Sequence, residues 1–105
     1  MNLESYKVPV KKSYLEQTCY LNVFPNPASR YMVAEYNIEK TTFGNYELRL
    51  SVVSPDGETV QSEPVNKLQD QVLVITNDYK PGIYFCTLKF GNMVLAKQKF
   101  AIIKL

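Results

Sequence analysis

The stretch YMVAEYNI, Tyr31–Ile38, reads with a period of two. Met32, Ala34, Tyr36 and Ile38 are apolar, and Glu35 and Asn37 alternate with them. Successive side chains of a strand point to opposite faces, so this stretch has one dry face and one wet face. The pattern recurs twice. In YELRLSVV, Tyr46, Leu48, Leu50 and Val52 alternate with Glu47, Arg49 and Ser51. In IYFCTLKF, Tyr84, Cys86, Leu88 and Phe90 stand against Thr87 and Lys89. Three such runs predict antiparallel strands with one solvated face. Shorter strands are expected at CYLNVF, ETVQS and QVLVIT. The last run, MVLAKQKFAIIKL, reaches the C-terminus, and its phase change near Lys97 to Lys99 predicts a bulge or two strand segments.

The turns agree with this reading. Ser54-Pro55-Asp56-Gly57 has the chemistry of a tight turn. Gly91-Asn92 between two apolar runs is a two-residue hairpin signal. Pro81-Gly82 fits a type II turn. No segment sustains a period of 3.6. The expected fold is all-β: an immunoglobulin-like β-sandwich of about seven antiparallel strands.

The chain has 105 residues, enough for one domain with one core. Its hydrophobic fraction is 46% and its charged fraction 21%, which excludes disorder of the whole chain. A formal charge of +2 with scattered lysines argues against nucleic acid. No run approaches the ~18 apolar residues of a membrane helix. No signal peptide is visible at the N-terminus. Either the protein is cytoplasmic, or the chain is the tail of a longer secreted one and Met1 is not a native start. Residues 1–18 show no sustained period, and Pro9 breaks their middle. They read as a linker or tail carrying Tyr6 and Tyr14, with the domain spanning residues 19–105.

Catalytic chemistry is poorly supplied. There is no histidine, so the usual general base near neutral pH is missing. The ten carboxylates (Glu4, Glu16, Glu35, Glu39, Glu47, Asp56, Glu58, Glu63, Asp70 and Asp78) fall mostly at outward or turn positions, without the facing pair of a glycosidase. No zinc spacing, glycine-rich phosphate loop or calcium loop occurs. No catalytic residue, metal or cofactor is therefore predicted. Cys19 and Cys86 leave two readings open, a disulfide or two small buried hydrophobes. Of the eight tyrosines, Tyr36, Tyr46 and Tyr84 read as core. Tyr20 and Tyr31 are the surface candidates for an adhesion or carbohydrate-binding module.

Residues 23–29, VFPNPAS, interrupt the first strand. Pro25 and Pro27 each remove a ladder donor and hold the preceding residue extended. Asn26 is expected to bond nearby backbone and cap the corner. From this corner onward the chain resembles the C-terminal sorting domain of the type IX secretion system, the Por secretion sorting family. The likeness rests on Pro25-Asn26-Pro27 after a short strand and on the turn LSVVSPDGETVQS. It continues through Gly82-Ile83-Tyr84, a glycine-containing hairpin, and the lysine-bearing AKQKFAIIKL at the end. It covers about 85 residues of the single domain. Asp56 matches the family's acidic turn position. Glu58 stands where lysine is common, and Tyr79-Lys80-Pro81 precedes Gly82 where leucine is usual.

The resemblance implies an address label rather than an enzyme. Cargo lies upstream and crosses the periplasm to the outer-membrane surface or the medium. An outer-membrane translocon reads the label, and a surface sortase cuts in the linker. The last strand, with Lys97, Lys99 and Lys104 exposed, is the expected reading surface. Protection of an exposed sheet edge is the competing role for those lysines, and an unprotected edge would allow weak self-association. Gly82 and Tyr84 are expected to form the turn and the core plug beneath it.

Overall fold

The computed structural model describes residues 19–38 and 47–104. Residues 1–18, with Tyr6, Tyr14, Glu4 and Glu16, lie outside the described residues, as do Glu39, Tyr46 and Leu105. Seven strands follow in order: β1 (Cys19–Phe24), β2 (Tyr31–Ile38), β3 (Leu48–Val53), β4 (Thr59–Pro64), β5 (Gln69–Ile75), β6 (Gly82–Phe90) and β7 (Met93–Ile102). They form two antiparallel sheets, β1-β2-β5 and β4-β3-β6-β7. Among the described residues no helix is long and apolar enough to cross a membrane.

The alternation read from the sequence sets the core. Met32, Ala34, Tyr36 and Ile38 of β2 are all buried. They face Leu50 and Val52 of β3 and Tyr84, Cys86 and Leu88 of β6, which are buried too. Phe100 and Ile102 of β7 close the core along one side. Tyr36 keeps its ring inside because its hydroxyl donates to the Lys67 carbonyl at 2.7 Å. A buried phenol without such a partner would carry a desolvation cost of roughly 1–3 kcal/mol.

Two hairpins follow their turn chemistry. The Gly57 amide donates to the Ser54 carbonyl at 2.9 Å, and Gly57 takes a φ of +88°, which closes β3 on β4. Gly91, with φ +60°, opens the two-residue turn between Phe90 and Met93. At Pro81-Gly82 the expectation fails. Gly82 has φ +152°, far from the roughly +80° of a type II turn. It is already the first residue of β6, and the turn bond lies earlier, from the Tyr79 amide to the Thr76 carbonyl.

The bulge in the last strand also lies upstream of its expected place. Leu88 pairs with Ala96 and Lys89 with Val94, so Leu95 is the extra residue. Leu95 and Phe100 are both buried yet sit an odd number of positions apart. A regular strand would put them on opposite faces, and the bulge resolves the conflict. The strand ends at Ile102, short of the C-terminus.

Ser51 and Thr87 were expected on the wet face and are 7% and 5% exposed. They pair with each other on the two inner strands, flanked along those strands by the longer Arg49 and by Phe85 and Lys89. Short side chains in such a row are covered by long neighbours. Ser51 finds Ser62 at 3.1 Å, but the Thr87 hydroxyl has no hydrogen-bond partner among the described residues. Thr87→Val keeps the shape and removes the stranded hydroxyl. It should raise stability by about 1 kcal/mol in urea unfolding; a loss would contradict this account of the site.

Cys86 is a buried thiol that is not bridged to Cys19. Burial pushes its pKa up from 9.0 to about 12. An unfolded chain therefore ionises this thiol first as pH rises. Stability held in full below pH 9.0 should be lost progressively toward about 12. Burial also raises Tyr36, Tyr79 and Tyr84, which act in the same direction. Thermal melts across alkaline pH check this, and Cys86→Ala should flatten part of the decline.

Candidate functional site

The antiparallel order sends four segments to one end of the sandwich. They are the β1–β2 corner, the β3–β4 turn, the β5–β6 loop and the end of β7. Cys19, where β1 begins, lies at the opposite end. Most of the motif residues singled out in the sequence meet at the corner end.

Pro25-Asn26-Pro27 builds the corner, with cis bonds at Phe24-Pro25 and Asn26-Pro27. Lacking two donors, the segment leaves β2 at Phe24 and crosses toward the other sheet. Asn26 does not cap its own turn, as the sequence suggested. Its Oδ1 accepts from the Ala101 amide of β7 at 3.0 Å, 75 positions away in the chain. The strand edge offers an amide that the local backbone does not. Ala28, fully buried, then forms a parallel bridge with Ile102. Its amide donates to the Ala101 carbonyl at 2.8 Å, and its carbonyl accepts from the Ile103 amide at 2.9 Å.

The other side of the corner holds β5. The buried Thr76 donates its hydroxyl to the Ser29 carbonyl at 3.0 Å and its amide to the Arg30 carbonyl at 2.9 Å. Lys104 Nζ returns from the chain end to the Thr76 and Asn77 carbonyls at 3.2 and 2.7 Å. Lys104 is thus partly engaged and is less free than a simple surface charge. Residues 26–30 therefore tie the end of β7 to the end of β5, across both sheets.

Gly82 pairs with Ile102 directly beside this network. A Cβ there would sit 2.8 Å from Pro55 Cγ. Both the φ and the contact demand glycine. Tyr84 lies below it, 3% exposed, stacked on Tyr79 at 5.5 Å and tilted against Phe100 at 5.8 Å. Its hydroxyl donates to the Lys80 carbonyl at 2.7 Å. Burial, and then the charge of Asp56, raises its pKa. Beside it a cleft of about 500 Å³ opens between the β3–β4 turn and the β5–β6 loop, rimmed by Asp56, Glu58 and Asp78.

Lys97 and Lys99 are not part of this end. They stand mid-strand on the outer face of the four-stranded sheet, with Lys97 Nζ 4.7 Å from the Phe85 ring centroid. Tyr20 and Tyr31 are exposed on the other sheet, six positions apart in β2 register and so about 20 Å from one another. Sequence reasoning missed the surface around Tyr31. Phe24 and Leu73 flank Val33 in register, and Ile75 faces Tyr31, giving an apolar patch. The signal was present as apolar residues at outward positions of β1 and β5.

This is a two-sheet β fold whose marked residues gather in a corner and a strand end rather than around a reactive group. The family model described as the secretion system C-terminal sorting domain matches residues 22–104, and the chain belongs to that family. No curated protein matches it. An immunoglobulin-like protein from Pseudomonas aeruginosa aligns with a TM-score of 0.50 at 14% identity, over 81% of this chain and 91% of that one. That likeness supports the immunoglobulin-like sandwich. A β-glucuronidase from an uncultured Clostridium sp. aligns with a TM-score of 0.47 at 19% identity, over 80% of this chain. The chain spans only 14% of the length of that glucuronidase.

Gly82→Ala should cost about 2 kcal/mol or more, from a disfavoured φ and the Pro55 contact. Adding Pro55→Ala should recover part of the loss, since it removes the contact and leaves the φ. Equal stability of the single variant and the wild type in chemical unfolding would refute this.

Proposed function

We propose that this domain is the type IX sorting label of a larger secreted protein, and that the corner end is the part read during export. The observation that carries this reading is the Asn26–Ala101 and Ala28–Ile102 connection, which joins the family's two sequence landmarks into one surface. On this reading Pro25, Asn26, Pro27, Gly82 and Lys104 shape the recognised end, and Tyr84 supports it from below. The partners are an outer-membrane translocon and a surface sortase that cuts in the linker preceding the domain, which residues 1–18 contain or border. The cargo precedes the domain, which itself carries no reaction. The domain passes the periplasm on its way to the cell surface or the medium.

A fusion of residues 19–105 behind a periplasmic reporter tests the proposal in a host with type IX secretion. The reporter should reach the surface or the medium. Asn26→Ala loses one hydrogen bond, worth about 1 kcal/mol, so the domain should stay folded while export falls. Removing residues 101–105 should abolish export. Retention of the intact, folded fusion in the periplasm would sink the reading.

A further inference from the structure

The geometry points to the outer face of the β4-β3-β6-β7 sheet as a docking surface for a membrane bearing anionic lipid headgroups. The three strands β1, β2 and β5 contain no Lys or Arg at all. Every strand-borne cation among the described residues lies in the other sheet: Arg49, Lys89, Lys97 and Lys99. All four point outward, on the face opposite the buried Leu50, Cys86, Leu88 and Phe100. Of the eight Lys and Arg among the described residues, these four share one sheet face.

The arrangement works against the sheet that carries it. Arg49 pairs directly with Lys89 across the strands, a like-charge placement that destabilises an antiparallel pair. Lys97 and Lys99 follow on the adjacent strand, so the four charges fall within about 13 by 10 Å. Each charge lies about one Debye length (~8 Å at physiological salt) or less from its nearest neighbour in the group, so neighbouring charges reinforce one another. One carboxylate, Glu47, answers Arg49 at 2.7 Å. Lys89, Lys97 and Lys99 have no ion pair among the described residues, although Lys97 rests over Phe85. Edge protection accounts for lysines on β7, but not for a facing Arg49 and Lys89 on the two inner strands.

Two features select a lipid surface over an acidic protein. The row between the Arg49–Lys89 pair and Lys99 carries the short side chains Ser62, Ser51 and Thr87 beside Lys97, so no bulky side chain of that row stands above the cations. A planar layer of phosphates meets such a face without needing a matched pocket. At the end of the face the β6–β7 hairpin exposes Met93 and Val94, 46% and 48%, with Val94 directly opposite Lys89. Apolar side chains beside basic ones are what an interfacial binder inserts between headgroups, while long lysines reach up to the phosphates.

Co-sedimentation of the full 105-residue chain with vesicles tests this. Vesicles of equal parts phosphatidylglycerol and phosphatidylcholine should carry the protein down at low salt, and added salt should release it. Pure phosphatidylcholine vesicles should not. Neutralising Lys89, Lys97 and Lys99 to Gln should weaken partitioning about fivefold per lysine, hence about a hundredfold together. Met93→Ser with Val94→Ser should weaken it severalfold while leaving its salt dependence. Thermal melts establish that each variant is folded. Equal binding to both vesicle types, undiminished binding of the triple variant, or no binding to anionic vesicles would overturn the proposal. If the triple variant fails to export its reporter while the wild-type chain ignores vesicles, the face serves an acidic protein and the membrane reading falls. Vesicle binding is measured without any secretion machinery, so it stands or falls separately from the export reading.

Discussion

The parallel bridge between Ala28 and Ile102 is the contact on which the arrangement of this domain depends. The two sheets share no strand, and side-chain packing alone would let them slide. At this point backbone hydrogen bonds cross from one sheet's connection to the other sheet's last strand. Ala28 uses both its amide and its carbonyl there, and Asn26 adds a third bond to the same strand end. Because Ala28 is fully buried, water does not compete for its own amide and carbonyl. Thr76 and Lys104 then fasten the opposite edge strand to the same segment. The register of β7, and with it the inward placement of Phe100 and Ile102, follows from that anchorage.

Much of the fold was legible because period two is a strong signal when one face is dry. Each of β2, β3 and β6 appears where the alternation put it, and their buried residues are those on the apolar phase, with Ser51 and Thr87 as the exceptions. The sequence was less informative where a residue's fate depends on a distant neighbour. Thr87 looks polar and outward, but its burial comes from the long side chains around it on an inner strand. Leu95 looks like part of a continuous run, but its bulge is forced by a partner strand that the local pattern does not describe. Asn26 has a nearby backbone to bond in principle, and only the folded chain brings Ala101 within reach.

The candidate site divides in the same way. Pro25, Asn26, Pro27 and Gly82 could be marked from sequence because their backbone requirements are local. That they converge with Lys104 could not, since the convergence is a product of strand order. Lys97 and Lys99 look equivalent to Lys104 along the chain. A strand's alternation places the first two on an open sheet face, while the end of the strand at Ile102 lets the third fold back onto carbonyls.

The opposite positions of Cys19 and the end of β7 have a mechanical consequence. A polypeptide continuing upstream leaves from one pole of the sandwich, and the corner lies at the other. A pull between the end of β7 and an upstream chain would therefore run along the strands. It loads the hydrogen bonds at Asn26, Ala28 and Ile103 side by side, in shear, rather than peeling them one after another. The end joined across the greatest separation in the chain is the end whose bonds would resist such a pull together.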